Sequence, residues 1–468
     1  MVFSSYKFIF LFFPIVYIVY AILRKFEKAS AIKWWLILSS LFFYAFGDIR
    51  FLPILLFTAF FNFLISKSLQ SDNIKSKPLR VILFIIGIVQ NLGLLFYFKY
   101  YNFFFENINL AFGTDFTLKN IILPLGISFY TFQLITYITD SYNKDAQGYT
   151  FTDFMVFVTF FPHLIVGPIA KHDKFMPQLS HENLIKIDTK NTMLGILLFA
   201  IGCFKKTVLA DPLISHASAF YALDTPSGIV DAWSAVLSYT FAYYFDFSGY
   251  IDMALGLGRL FNIELAQNFN SPYKARNFAD FWRRWNITIS DFLNDKVFKN
   301  IFHFGNGVIK LIFATIITFI VSGIWHGVGY HYIWWGIANG VFVCFANIMT
   351  LHRKKLPFPI AWALTFFFSI LVRVLFDSHT TLQALDIYRV MFTPVADFTT
   401  QLTAYLSQNA DIIVLLIVCA IITFGFKNSN EIADTFKPSV KYALFSALLL
   451  AMSLFSMGQV SNFLYFQF

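Results

Sequence analysis

Apolar runs long enough to cross a bilayer recur along almost the whole chain, and they constrain its fold more than any motif does. Hydrocarbon gives backbone polar groups no water to bond with, so a spanning chain must satisfy them inside helices or a closed barrel. Phe8 to Leu23, Ile32 to Phe46, Phe51 to Ser66 and Val81 to Phe105 are continuous apolar stretches, not the short alternating segments of a barrel. With 58% hydrophobic and 13% charged residues in 468, the chain reads as an all-α polytopic membrane protein. Length criteria predict about eleven transmembrane helices.

A formal net charge of +9 raises the question of nucleic acid. The cations sit in short loops between apolar runs, as positive-inside topology requires, so no nucleic-acid partner is expected. Arg24, Lys25 and Lys28 follow the first run, and Lys67, Lys75, Lys77 and Arg80 follow the third. Two crossings separate these loops, which places both in the cytoplasm and the N-terminus outside. No small-residue cleavage site follows the first run, so it reads as a retained span. Cys203, Cys344 and Cys419 lie in apolar surroundings without paired spacing, and neither a disulfide framework nor a metal site is expected.

Several stretches depart from simple spans. Ile121 to Ile138 carries Pro124, Gly126, Ser128 and Thr131, interruptions tolerated only where protein or water surrounds the backbone; a re-entrant or cavity-lining piece is expected. Pro162, Gly167 and Pro168 predict a broken helix in FFPHLIVGPIAKHDKFMPQL, residues 160–179, where His163 reads chiefly as structural. Met193 to Leu209 reads as a span ending at Lys205, Lys206 and Asp211. Asp246 and Asp252 interrupt Ala232 to Leu260; six residues apart on a 3.6-residue turn, they face different ways. One is expected to be buried against Lys or Arg, the other near an interface.

Asn270 to Asn300 is too polar to span. Phe278, Phe281, Trp282, Trp285, Ile289 and Phe292 recur at helical spacing, predicting one or two interfacial amphipathic helices with Lys274, Arg276, Arg283 and Arg284 on the polar side. These residues favour a membrane-lipid anchor; the sharper reading is a phosphate-rich ligand held by arginines beside stacking aromatics. Farther on, Asp377 to Asp411 is expected to hold a short amphipathic helix at most. The whole chain reads as one membrane domain, 1–468, with N-terminal helices in 1–120, a core in 121–350 and C-terminal helices in 351–468. There is no Walker loop and no dinucleotide fingerprint.

Val321 to Gly340, VSGIWHGVGYHYIWWGIANG, places His326 within apolar sequence, with Gly323 and Gly327 close by. A titratable group at that depth is costly and should face protein or a water-filled cavity. Imidazole can take a proton from an attacking hydroxyl. The glycines leave room for a substrate or a neighbouring backbone. The same residues suit a structural histidine bonded to a carbonyl, and composition leaves both readings open.

WRRWNITISDFL (282–293) followed by SGIWHG (322–327) resembles the membrane-bound O-acyltransferase superfamily. FPHLIVGPI (161–169), DFSGYIDMALGLGRLFNIELAQNFNSPY (246–273) and the terminal FLYFQF (463–468) resemble its bacterial branch of alginate and peptidoglycan O-acetyltransferase membrane subunits. The resemblance covers most of the chain from about Pro124 onward and implies helices around a central tunnel in the bacterial inner membrane. It implies acetyl-CoA as a donor substrate entering from the cytoplasm, with no tightly bound cofactor. His326 matches the superfamily's histidine, the implied general base. The bacterial branch normally carries a second histidine after WRRW, where this chain has Asn286; eukaryotic members often place Asn there. Asn286 can orient or hydrogen-bond a developing oxyanion, but it cannot titrate. Lys274, Arg276, Arg283 and Arg284, with Trp282 and Trp285, become candidates for binding the donor. Trp325, Asp246, Tyr250, Ser290 and His163 are expected along the tunnel. The resemblance also implies a polysaccharide acceptor and a separate periplasmic acetyltransferase partner. A carrier or flippase for a lipid-linked sugar or solute is the alternative that broken helices and buried carboxylates would suit.

Overall fold

The computed structural model describes all residues except 224–227, 304, 306, 355, 460–463 and 465–468. Helices make up the regular structure among these residues, relieved by an isolated antiparallel bridge between Phe269 and Trp285. Seven segments are long and apolar enough to cross a membrane: Phe8–Lys25, Ile49–Gln70, Lys77–Phe112, Thr189–Tyr221, Val308–His326, Tyr330–Leu351 and Phe358–Asp377. An eighth is a pair, Phe398–Gln408 and Ala410–Gly425, bent by 89° at its break. Ala29–Ala45 and Val440–Ser456 are shorter apolar helices. The protein is thus all-α and polytopic.

Fewer spans meet the length test than the expected eleven or so: Ala29–Ala45 and Val440–Ser456 fall short at 17 residues each, and two further apolar runs are interrupted. In the first, Gly126 adopts φ +76° and a helix begins only at Ile127. In the second, the helix Phe151–Thr159 stops before Phe160, and a single turn, Phe161–Leu164, follows it. Pro162, the second residue of that turn, removes a donor and disfavours a continuous helix through this point. Gly126 explains the local packing: a Cβ there would come within 2.8 Å of the Leu164 carbonyl oxygen.

Two further expectations are corrected, and the one for Asn270 to Asn300 is refined. Lys205, Lys206 and Asp211 do not end a span; helix continues through them from Thr189 to Tyr221, with a π-helical stretch at Lys205–Ala210. Asn270 to Asn300 holds no long amphipathic helix but short pieces, Phe278–Trp282 and Ile287–Leu293 with a π-helical turn beyond, because Asn286 takes φ +45° between them. The Asp377–Asp411 region carries two helices, Thr381–Phe392 and Phe398–Gln408, and the first starts with a Thr380 side chain accepting the Gln383 N–H.

The chain divides into two compact units. Residues Met1–Phe199, Ile251–Ala266 and Lys437–Ser446 form the first; Ala200–Tyr250, Gln267–Phe436 and Ala447–Phe468 form the second. The first is built on aromatic packing, with Phe3, Phe8, Phe12, Phe43 and Phe161 mutually in contact. In the second, helices Val308–His326 and Tyr330–Leu351 form a tight hairpin. A Cβ on Gly323 would lie 2.2 Å from the Tyr332 carbonyl oxygen, and one on Gly336 2.4 Å from that of Phe319. These glycines let the two backbones meet, as small residues do between membrane helices.

Candidate active site

His326 is the last residue of the helix Val308–His326 and is 6% exposed. Its ring is boxed by aromatic edges and faces: Trp325 at 4.6 Å, Trp335 at 5.0 Å and Phe376 at 5.0 Å between centroids. Beside it lies a pocket of about 40 Å³, lined by Tyr243, Tyr273, Trp282, Trp285, Asn339 and Arg373 among others. The WRRW segment therefore reaches the histidine's pocket through its two tryptophans. Trp282 donates its Nε1 proton to Asn339 Oδ1 at 3.1 Å, fixing the indole against the hairpin. Trp285 stacks on Phe281 at 5.7 Å and backs against Tyr273.

The pocket's charged member is Arg373. Its guanidinium carbon sits 3.2 Å from the Tyr243 ring centroid and 4.6 Å from that of Phe376. Asp377, one turn on, holds it through Nε and Nη2 at 3.0 and 2.8 Å. Two hydrogen bonds to one carboxylate fix the plane of the guanidinium as well as neutralising it. The site thus combines an imidazole, a fixed cation and an amide inside an aromatic wall. Such low-polarity surroundings strengthen electrostatic interactions with charge that develops during a reaction.

Asn286 occupies a different position. It caps the helix Ile287–Leu293 from the left-handed region, is 2% exposed, and its Oδ1 is buried without a hydrogen-bond partner among the described residues. It is not among the residues lining the His326 pocket. Asn and His are among the residue types that tolerate positive φ best, so the backbone here accepts both residues that the resemblance associates with this position. Ser290, expected along a tunnel, bonds the Trp285 carbonyl oxygen at 3.2 Å.

The four expected donor-binding cations separate by environment. Lys274 donates to the Phe426 carbonyl oxygen at 2.7 Å, and Arg284 pairs with Asp280 at 2.9 Å. Arg276 lies over the Phe358 ring at 4.6 Å and borders a second cavity. Arg283 is exposed and makes no side-chain hydrogen bond or ion pair among the described residues.

Asp246 and Tyr250 lie elsewhere in the second unit, both nearly inaccessible. Lys206 Nζ bridges Asp211 at 2.8 Å and Asp246 at 2.7 Å, and Asp246 Oδ2 accepts the Leu464 N–H at 2.9 Å. One expected carboxylate–lysine pair is therefore present. Asp252 is 3% exposed. Apart from Leu464, the terminal FLYFQF lies outside the described residues. His163 belongs to the first unit, 2% exposed, between Phe160 and Phe175.

Sequence reasoning missed Arg373, Asp377, Asn339, Tyr243 and Tyr273. A signal existed for the first pair: an Arg and an Asp spaced i, i+4 at the end of an otherwise apolar helix. Nothing in the local pattern distinguished the two tyrosines from the other twenty-one of the chain's 23.

The chain belongs to the membrane-bound O-acyltransferase family, whose model matches residues 94–377. That span contains every residue of the His326 pocket. The chain is 34% identical to a peptidoglycan O-acetyltransferase of Helicobacter pylori, over all of this chain and 98% of that protein. It is 33% identical to the probable alginate O-acetylase AlgI of Pseudomonas aeruginosa, over 84% of this chain and 75% of the relative. A teichoic acid D-alanyltransferase of Bacillus subtilis is 27% identical over 50% of this chain and 62% of its own length. The chain is a multi-pass membrane protein of an O-acyltransferase family.

Proposed function

We propose that this protein transfers an acetyl group from cytoplasmic acetyl-CoA for O-acetylation of an extracytoplasmic polysaccharide of peptidoglycan or alginate type. His326 is the general base. The observation that carries this reading is the His326 pocket: about 40 Å³ beside an imidazole suits a group of a few heavy atoms, as an acetyl is, and not a long acyl chain.

The acceptor hydroxyl gives its proton to His326 as its oxygen attacks the thioester carbon. Negative charge gathers on the carbonyl oxygen, where the Arg373 guanidinium is the nearby fixed donor. The carbon–sulfur bond then breaks, and the proton held by His326 passes to the departing thiolate, regenerating neutral imidazole and free coenzyme A. General-base assistance of this kind contributes roughly 10²–10⁴-fold. Asn286 acts by orienting the segment that carries Trp282 and Trp285 rather than by titrating. Arg283, exposed and without an ion-pair or hydrogen-bond partner for its side chain among the described residues, is the cation best disposed toward the donor's phosphates. Acetyl-CoA acts as a substrate and not as a resident cofactor. A periplasmic acetyltransferase takes the group onward, and the protein works in the bacterial inner membrane, a reading supported by the polysaccharides named for its relatives.

The test is labelled acetyl transfer in proteoliposomes supplied with acetyl-CoA and an acceptor, comparing wild type, His326→Ala and Asn286→His. Donor consumption by wild type but not by His326→Ala supports the assignment. A folded wild type that leaves acetyl-CoA intact, with candidate partners present, favours the carrier reading instead.

A further inference from the structure

Next to the His326 pocket, with Phe278 lining both, lies a cavity of about 990 Å³ bordered by helices Tyr330–Leu351 and Phe358–Asp377. It is a groove in the apolar outer surface rather than an interior chamber: Val341, Phe345, Phe358 and Leu364, which line it, are 52, 60, 53 and 42% exposed. Most of its other lining residues are also apolar.

Its polar features are concentrated at one end. Arg353 and Lys354 follow the helix Tyr330–Leu351, and the chain returns into the next span at Phe358. Arg276 lies over the Phe358 ring. All three cations line the cavity, and no acidic side chain does among the described residues. The loop is basic, as the cytoplasmic ends of spans are, and anionic headgroups attract cations at that level by about 1 kcal/mol each.

We propose that this groove is a binding site for an anionic glycerophospholipid. The headgroup phosphate lies among Arg276, Arg353 and Lys354, and an acyl chain runs between the two spans toward Leu364. The pantetheine arm of the acetyl donor fits the groove less well, because its amides need hydrogen-bond partners. Thr350 and Thr365 give their hydroxyl protons to carbonyls of their own helices, at Ala346 and Ala361, and Asn277 accepts the Asp280 N–H. The hydroxyl protons of the lining are thus already used, and most of its surface is apolar, as hydrocarbon tails require. Phe278 stacks on Phe342 at 4.6 Å and Phe342 on Phe368 at 4.8 Å, so a lipid held there bears on the wall that the groove shares with the His326 pocket. This inference is independent of the acetyl-transfer reading.

The test uses the full chain, purified and delipidated in detergent, with native mass spectrometry counting retained lipid. Palmitoyl-oleoyl phosphatidylglycerol and the matching phosphatidylcholine are the probes, with acetyl-CoA as competitor. Phosphatidylglycerol is expected to bind at least tenfold more tightly than phosphatidylcholine. Arg353→Gln with Lys354→Gln should weaken it about fivefold per charge removed while leaving phosphatidylcholine unchanged. Leu364→Trp, which fills the groove without altering charge, should reduce retention of both lipids, with thermal unfolding of each variant reporting that it is folded. Equal retention of the two lipids, indifference to the charge change in folded protein, or one-for-one displacement by acetyl-CoA each overturns the proposal.

Discussion

Two buried histidines, one in each compact unit, carry opposite surroundings. His163 lies in a turn between breaks in the helix, with Phe160 and Phe175 against its ring at 5.8 and 5.3 Å. Neither ring nitrogen makes a hydrogen bond of normal geometry, and the nearby Phe157 carbonyl oxygen accepts from Gln133 at 2.7 Å. Gly167 presses on its backbone, where a Cβ would fall 2.1 Å from His163 Cα. His326 is also almost inaccessible and also ringed by aromatics, yet it opens on a pocket shared with Arg373 and Asn339. Burial and aromatic neighbours are therefore common to both. What distinguishes them is whether the imidazole faces space and a second polar group, and reactivity needs both.

The largest expected effect separates the two directly. His326→Ala should lower acetyl transfer by about 10²–10⁴-fold with the protein still folded, the loss typical of a missing general base. His163→Ala should instead leave residual turnover per folded molecule near wild type and reduce stability by about 2 kcal/mol, from the lost packing. If His163→Ala abolished transfer in protein of unchanged thermal stability, the distinction would collapse.

Next comes the pair that polarises the His326 pocket. Asp377→Asn leaves the Arg373 charge buried without its counter-ion, and breaking such pairs costs about 3–5 kcal/mol. Thermal unfolding in detergent measures this. Arg373→Met with Asp377→Leu, removing both charges together, should restore most of the stability but not the transfer rate. Recovery of both would make the pair a structural strut and nothing more.

A smaller effect is expected at Gly336. A Cβ there meets the Phe319 carbonyl oxygen at 2.4 Å, so Gly336→Ala must separate the hairpin helices, at roughly 1–3 kcal/mol. The separation would shift Trp335, which touches His326, so KM and kcat should both worsen. Smallest is Asn286→Ala: φ +45° disfavours alanine by about 1–2 kcal/mol, whereas Asn286→His should cost less. Equal losses for the two substitutions would mean that the side chain, rather than the backbone, sets the requirement.

Much of the candidate site was legible in sequence because its residues are unusual for their surroundings. A histidine in an apolar run, glycines spaced to admit a neighbouring backbone, and a tryptophan-rich basic segment all stand out without coordinates. The membrane class follows from the same logic, since hydrocarbon restricts what an apolar chain can form. Asn286 stands out as well, but its left-handed backbone does not; that conformation belongs to the junction between two short helices.

The sequence by itself determined the all-α membrane architecture, the break at Pro162 and the candidacy of His326. Each depends on local composition or covalent geometry. Tertiary structure alone decided that Arg373, 47 positions from His326, shares its pocket, that Lys206 and Asp246 are partners, and that His163 is enclosed by rings. Those outcomes depend on how helix faces rotate against one another. Periodicity says which face is apolar; in a membrane nearly every face is, so only packing selects which residues meet.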